Sequence, residues 1–183
     1  MAEITDDKAF IERFRHPETK EAAFNELVLK YQQRIYWHIR RLVISHDDAD
    51  DLVQEVFIKI WKNIANFQGN SQLFTWIYRI ATNECMTFLK RKSMRNTVSM
   101  EGEQDYLLEK LREDPYVNGN DLQIRLQQAI LTLPEKQRIV FNMRYFDELK
   151  YEEMSEVLET SVGALKASYH HAVKKLEQYF TDG

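Results

Sequence analysis

Hydrophobic positions recur at three- and four-residue intervals along almost the whole chain. That spacing gathers them on one face of a helix. A short first helix carries Phe10, Ile11 and Phe14 and stops near Pro17. A long second helix repeats Phe24, Leu27, Val28, Tyr31, Ile35, Ile39 and Leu42. Ser45-His46-Asp47-Asp48 reads as a cap, since a side-chain oxygen there can accept from an orphan helix N–H. The third helix buries Leu52, Val53, Val56, Phe57, Ile60, Trp61 and Ile64. After the loop Phe67-Gln68-Gly69-Asn70-Ser71, a fourth buries Leu73, Trp76, Ile77, Ile80, Ala81 and Phe88. It ends in Lys90, Arg91, Lys92 and Arg95.

The pattern then breaks. Between Glu101 and Asp121 stand seven acids (Glu101, Glu103, Asp105, Glu109, Glu113, Asp114, Asp121) against Lys110 and Arg112. Pro115, Gly119 and sparse apolar spacing predict a linker over 96–119, with at most a weak helix around Tyr106–Leu111. Helical spacing resumes with Leu122, Leu126, Ile130 and Leu133. Pro134 suits the first position of the next helix, which carries Ile139, Val140, Met143 and Phe146. The expected fold is all-α. A helical bundle over 1–95 is joined by the acidic linker to a second helical domain over 120–183.

Two closely spaced helices, Tyr151–Leu158 and Val162–Phe180, read as a helix-turn-helix. Ser155 is small where the helices cross, and Leu158, Val162 and Leu165 are spaced to clamp them. Thr160 and Ser161 supply the N-cap of the second. In that helix Val162, Leu165, Tyr169, Ala172 and Leu176 point inward. Gly163, Ala164, Ala167, His170, His171 and Lys174 point outward, flanked by Lys166 and Lys175. Small residues near the N-terminal end allow approach to a groove floor, and cations further along can meet phosphates. The plain alternative is a helical hairpin with a solvated face.

Composition narrows the classes. Five Gly and three Pro in 183 residues favour long helices. No apolar run is long enough to span a membrane, and the start, Met1–Asp7, is acidic where a signal peptide is basic. The expected location is the cytoplasm. Cys85 is the single cysteine, so no internal disulfide or thiolate zinc cluster can form. The net charge of −4 counts against an autonomous DNA binder, because phosphate neutralisation supplies most non-specific affinity. It does not exclude a factor whose main grip is on another protein.

Two N-terminal helices carry further candidate chemistry. The third opens with Asp47, Asp48, Asp50, Asp51 and Glu55. Acids near a helix N-terminus are favourable by about 0.3–1 kcal/mol each, and they also suit docking to a basic partner. Asp47–Asp51 matches the DDxxD pattern that holds magnesium-diphosphate in isoprenoid synthases, but the second metal motif of those enzymes is missing. In the fourth helix Thr75, Arg79, Thr82, Asn83, Met86 and Lys90 fall on a face away from the apolar stripe, chemically suited to bases and phosphates. The Gln68–Gln72 loop beside it could enclose a displaced base. Phe67, Phe74, Trp76 and Tyr78 are candidates for stacking, which returns about 1–3 kcal/mol per base.

These segments, in this order, resemble the sigma factors of bacterial RNA polymerase. Asp50-Asp-Leu-Val-Gln-Glu-Val-Phe57 with Trp61 resembles their core-polymerase-binding segment, and Phe74–Asn83 their helix for the minus-ten element. Leu131–Arg138 and Tyr151–Leu176 resemble the domain that reads the minus-thirty-five element. Having only these two domains resembles the extracytoplasmic function (ECF, group IV) subgroup of the sigma-70 family.

The resemblance implies promoter-specific initiation without catalysis, cofactor, metal or small-molecule substrate. It implies that Asp48, Asp50, Asp51, Gln54, Glu55, Phe57 and Trp61 dock on the beta-prime clamp helices of core RNA polymerase, with the beta flap as a further contact. Phe67, Gln68, Asn70, Ser71, Trp76, Arg79, Asn83 and Lys90 would read and melt the minus-ten element. Ser161, Gly163, Ala164, Lys166, Ala167, His170, His171 and Lys174 would read the minus-thirty-five element. The acidic linker would thread the polymerase channel near the RNA path. An anti-sigma protein, often membrane-bound, would hold such a factor inactive.

Two departures stand out. Glu159 occupies the helix-turn-helix turn where the family usually has Gly, and a non-Gly residue at positive φ is strained. Ser168 and His171 replace common arginines, which predicts weak duplex affinity and some pH sensitivity through His170 and His171.

Two other classes fit the sequence less well. A stand-alone helix-turn-helix regulator would bind promoters tightly without polymerase and usually dimerise, but no zipper pattern is present. A helical enzyme would need a nucleophile–base pair, an HExxH or a phosphate loop, and the chain has none. Its histidines, His16, His38, His46, His170 and His171, are scattered apart from one adjacent pair that points two ways on a helix.

Overall fold

In a computed structural model of the chain, residues 7–95, 100–114 and 121–182 are described. Residues 1–6 of the acidic start, the two ends of the expected linker at 96–99 and 115–119, Asn120 and Gly183 lie outside them. Every regular element among the described residues is helical: α1 Asp7–Arg15, α2 Pro17–Val43, α3 His46–Asn63, α4 Leu73–Arg95, α5 Met100–Glu113, α6 Asp121–Leu131, α7 Glu135–Tyr145, α8 Tyr151–Leu158 and α9 Val162–Thr181. A 3-10 turn, Ile64–Asn66, follows α3.

Local chemistry sets the boundaries. Pro17 sits at the start of α2, where its missing N–H costs nothing. Ser45 caps α3 by accepting from the Asp48 amide at 3.3 Å. Pro134 immediately precedes α7. Helix α8 ends at Glu159 with φ 51°, the left-handed conformation a glycine would take without strain.

The largest apolar core gathers Phe14, Leu27, Ile35, Ile39, Leu52, Ile60, Ile77 and Leu89 from the first four helices. It continues through Leu107 of α5 into Met143, Met154 and Leu165 of the C-terminal helices. A smaller cluster of Ala129, Ile130, Leu133, Phe141, Ala172 and Leu176 holds α6, α7 and α9 together. Helix α8 lies against α4, and α7 against α2. The C-terminal helices therefore share apolar packing with the N-terminal bundle.

Two expectations change. Much of the expected linker is the regular helix α5, fixed by the buried residues Tyr106, Leu107 and Leu111. Those three positions lie four apart and one apart, enough for one helical seam once α4 and α6 are there to receive it. Helix α4, read as two-faced, is enclosed over most of its N-terminal half and keeps an exposed strip at Asn83, Thr87, Lys90 and Met94. Thr75, Tyr78, Thr82, Glu84 and Cys85 are enclosed beside the apolar stripe because α2, α3, α5 and α8 all pack against α4. Glu84 is paired there by Lys59.

Candidate nucleic-acid and partner interfaces

The outer face of α9 is built by its cap and its buried stripe. Ser161 accepts from the Ala164 amide at 3.3 Å and starts the helix. Leu165, Ala172 and Leu176 then turn inward, and Tyr169 stacks on Phe141 with ring centroids 5.8 Å apart. Gly163, Ala164, Lys166, Ala167, His170, His171 and Lys174 all lie exposed. A Cβ placed on Gly163 would meet nothing within 4 Å. The result is a helix whose first turn is low and uncrowded and whose later turns carry cations and imidazoles. Beside it, Phe141, Tyr145, Tyr169, Val173, Leu176 and Phe180 line an open apolar groove of about 510 Å³.

Helix α3 presents a second face. Asp50, Asp51, Gln54 and Glu55 are exposed. Ile58 joins them at 52 % exposure. Sequence reading passed over Ile58, although an apolar residue seven positions after Asp51 and off the buried stripe was the available signal. Asp48 is half-buried instead and accepts from the Tyr106 hydroxyl at 2.6 Å. Phe57 and Trp61 face the core: Trp61 packs edge-on against Phe24 at 4.9 Å and Phe14 at 5.4 Å, and Phe57 is 8 % exposed.

The third set is divided. Gln68, Asn70, Asn83 and Lys90 are exposed, and Ser71 is half-exposed. Phe67 is buried with its ring 5.3 Å from that of Trp76. Gly69 has φ 72°, which lets the loop turn between Phe67 and α4. A cleft of about 1430 Å³ opens beside this loop, lined also by Lys30, Arg34, Phe74 and Lys150.

Arg79 is engaged by the other half of the chain. Its Nη2 donates to the Glu156 carbonyl at 2.5 Å, and Nη1 stands 3.3 Å from Glu159 Oε1. Thr75 Oγ1 donates to Glu156 Oε2 at 2.7 Å. These partners could not be read from sequence, since 77 to 81 residues separate them.

Among the described residues, no group of three or more His, Cys, Asp or Glu stands together to hold a metal. No helix among them is long and apolar enough to cross a membrane.

Comparison with known proteins converges on one family. Residues 27–95 match Sigma-70 region 2, and residues 123–176 match Sigma-70, region 4. The chain is 31 % identical to the RNA polymerase sigma-H factor of Pseudomonas aeruginosa, across 94 % of this chain and 92 % of that one. It is likewise 31 % identical to the ECF RNA polymerase sigma-E factor of Haemophilus influenzae, across 97 % and 96 %. It is 30 % identical to the ECF RNA polymerase sigma factor SigW of Bacillus subtilis, across 87 % and 90 %.

Two solved structures share the fold. CnrH, in complex with the cytosolic domain of CnrY, superposes with a TM-score of 0.70 at 19 % identity, covering 96 % of this chain and 97 % of that one. The sigma factor RpoE of Bartonella quintana, in complex with the anti-sigma factor NepR, gives 0.66 at 20 % identity over 86 % and 96 %. With both regions matched in order and curated relatives spanned nearly end to end, the chain belongs to the extracytoplasmic function sigma factors of the sigma-70 family, which direct transcription initiation by RNA polymerase.

Proposed function

We propose that three separate surfaces divide the work of initiation. The exposed face of α3, with Asp50, Asp51, Gln54, Glu55 and Ile58, docks on the beta-prime clamp helices of core RNA polymerase. Asp48 orients the start of that helix, and Phe57 and Trp61 hold it in place from behind. The observation that carries this reading is the segregation within α3, where every acid after Asp48 is turned to solvent and both aromatics are packed inward. A charged rim around one exposed aliphatic side chain favours fast encounter and a buried anchor.

The loop Phe67–Gln72 and α4 then read the minus-ten element. Gln68, Asn70 and Ser71 contact an unstacked base, and Trp76, Arg79, Asn83 and Lys90 lie along the strand. Phe67 and Trp76 form a paired aromatic floor. The outer face of α9, from Ser161 to Lys174, enters the minus-thirty-five groove, with the small residues at the base edges and Lys166 and Lys174 toward phosphates. The apolar groove between α7 and α9 takes the beta flap.

The functional units are 1–95 and 120–183. The segment 96–119 between them follows the polymerase channel once the factor is bound, and α5 has to leave its groove for that. The protein works in the cytoplasm. An anti-sigma protein restrains it; the structurally similar RpoE was solved in complex with the anti-sigma factor NepR, which supports such a partner.

The test is reconstitution. Purified protein and bacterial core polymerase should co-elute on gel filtration, and the complex should open a promoter bubble in a permanganate footprint. Asp51→Lys should abolish co-elution. Trp76→Ala should keep co-elution and lose the bubble. Tight duplex binding by the free chain without co-elution would point to a stand-alone regulator instead.

A further inference from the structure

Thr75, Arg79 and Thr82 lie at i, i+4 and i+7 on α4 and so form one stripe of the helix. Each is engaged, directly or at one remove, by the C-terminal half. Thr75 bonds the Glu156 carboxylate, and Arg79 meets both the Glu156 carbonyl and the Glu159 carboxylate. Thr82 Oγ1 is 2.9 Å from His38 Nε2, whose Nδ1 is held by Asp147 at 2.7 Å. Arg41 grips the other oxygen of Asp147 at 2.9 Å. The groups that α8 and its C-terminal turn present to Thr75 and Arg79 are oxygen acceptors, two carboxylates and a carbonyl, which is the chemistry of a phosphate backbone. The outer face of α9 stays exposed throughout.

We propose that α8 and the turns flanking it act as an internal mask over the nucleic-acid face of α4. The free protein is closed at Arg79 within its minus-ten surface, where Gln68, Asn70, Asn83 and Lys90 stay exposed, and open at its minus-thirty-five surface. Glu156 and Glu159 hold the places that a DNA strand takes in the initiation complex, and Asp147 fastens the mask to α2. The strained φ of Glu159 fits this role, because glycine would relax the turn but could not reach Arg79. This inference rests on the reading of α4 as the minus-ten helix.

The test uses the full chain, with dyes on Gln32→Cys and Gln178→Cys; Cys85 is fully buried and stays unlabelled. Single-molecule energy transfer should show one closed population for the parent protein. A Glu156→Gln/Glu159→Gly pair should populate an open one. In parallel, affinity for a fluorescein-labelled, mixed-sequence single-stranded DNA should rise about tenfold in the pair, since apparent affinity scales with the competent fraction. Glu152→Gln removes one negative charge, against two in the pair, from the exposed side of α8 and should change neither readout. Circular dichroism confirms that each variant is folded.

A closed population unaffected by the pair, or a parent protein that is already open, overturns the mask and leaves the α4 reading standing. Opening without a gain in DNA affinity overturns it through the α4 reading instead. An equal gain from Glu152→Gln reduces the effect to net charge and overturns it as well.

Discussion

His38 on α2 and Asp147 between α7 and α8 are 109 residues apart in sequence, yet Nδ1 of one lies 2.7 Å from Oδ2 of the other. Both side chains are buried, at 0 % and 3 % exposure. The carboxylate also accepts from Arg41, so a single acid from the C-terminal half satisfies two groups of the N-terminal bundle. Removing one member of a buried charged set costs more than the set contributes, because the others keep their desolvation penalty. Asp147→Ala should therefore lower stability by about 3 kcal/mol in urea unfolding followed by tryptophan fluorescence. A loss under about 0.5 kcal/mol, the usual range of a surface change, would show that the contact does not persist in solution.

Helix α3 separates docking from packing in a way that mutation can read. Ile58→Glu alters an exposed residue and should leave the melting temperature unchanged while weakening core-polymerase binding. Trp61→Ala opens a void against Phe14, Phe24 and the Lys20 ammonium, which sits 4.2 Å from the indole centroid. It should cost about 3–5 kcal/mol of stability, the range for large aromatic truncations in cores. Equal loss of stability in both variants would mean that Ile58 is a packing residue and that the docking face lies elsewhere.

What was legible in the sequence was what local chemistry decides. The apolar stripes of α2, α3 and α9, the Ser45 and Ser161 caps and the break at Pro17 each depend on residues within one or two turns. The outward set on α9 follows from the same periodicity. What escaped depends on docking between distant segments. Thr75 and Thr82 look outward on α4 taken alone, and only α8, α2 and the turn carrying Asp147 bury them. The acid-rich stretch around Tyr106 lacks a full apolar stripe, so its helix is fixed by a groove that composition does not announce. Phe57 and Trp61 carry the docking motif in the sequence, while their packing against Phe24 depends on where α2 lies.

Alkaline pH should unfold the protein through its tyrosines. Burial pushes Tyr31 up to about 12, reinforced by Asp7. Burial also raises Tyr78, helped by Asp147, and raises Tyr106, helped by its bond to Asp48. A raised folded-state value means the fold favours the protonated phenol. That stability is fully present below the ordinary tyrosine value of 10.0 and is lost as pH climbs through the folded values. After a stopped-flow jump to about pH 11, exposed tyrosines should ionise at once and these three only as the chain unfolds. Tyrosinate absorbance rising in a single fast phase would contradict their burial.

Gly163 offers the sharpest separation of fold from readout. It lies in the first turn of α9, has ordinary helical geometry, and has open space around the position a Cβ would take. Alanine there should fold at least as well, gaining up to about 1 kcal/mol of helix propensity. A large side chain should be tolerated equally by the free protein, since nothing stands within 4 Å. In the groove the same space belongs to the base edges. Gly163→Trp in the reconstituted polymerase complex should therefore keep its melting temperature and core binding and lose minus-thirty-five duplex affinity. Lys174→Ala, about three turns further along the same face, should weaken binding uniformly across sequences and reduce the salt slope by about one, the signature of a phosphate contact. Unchanged promoter binding by Gly163→Trp would place the first turn of α9 outside the groove and leave the specificity of this factor to be sought in α4 alone.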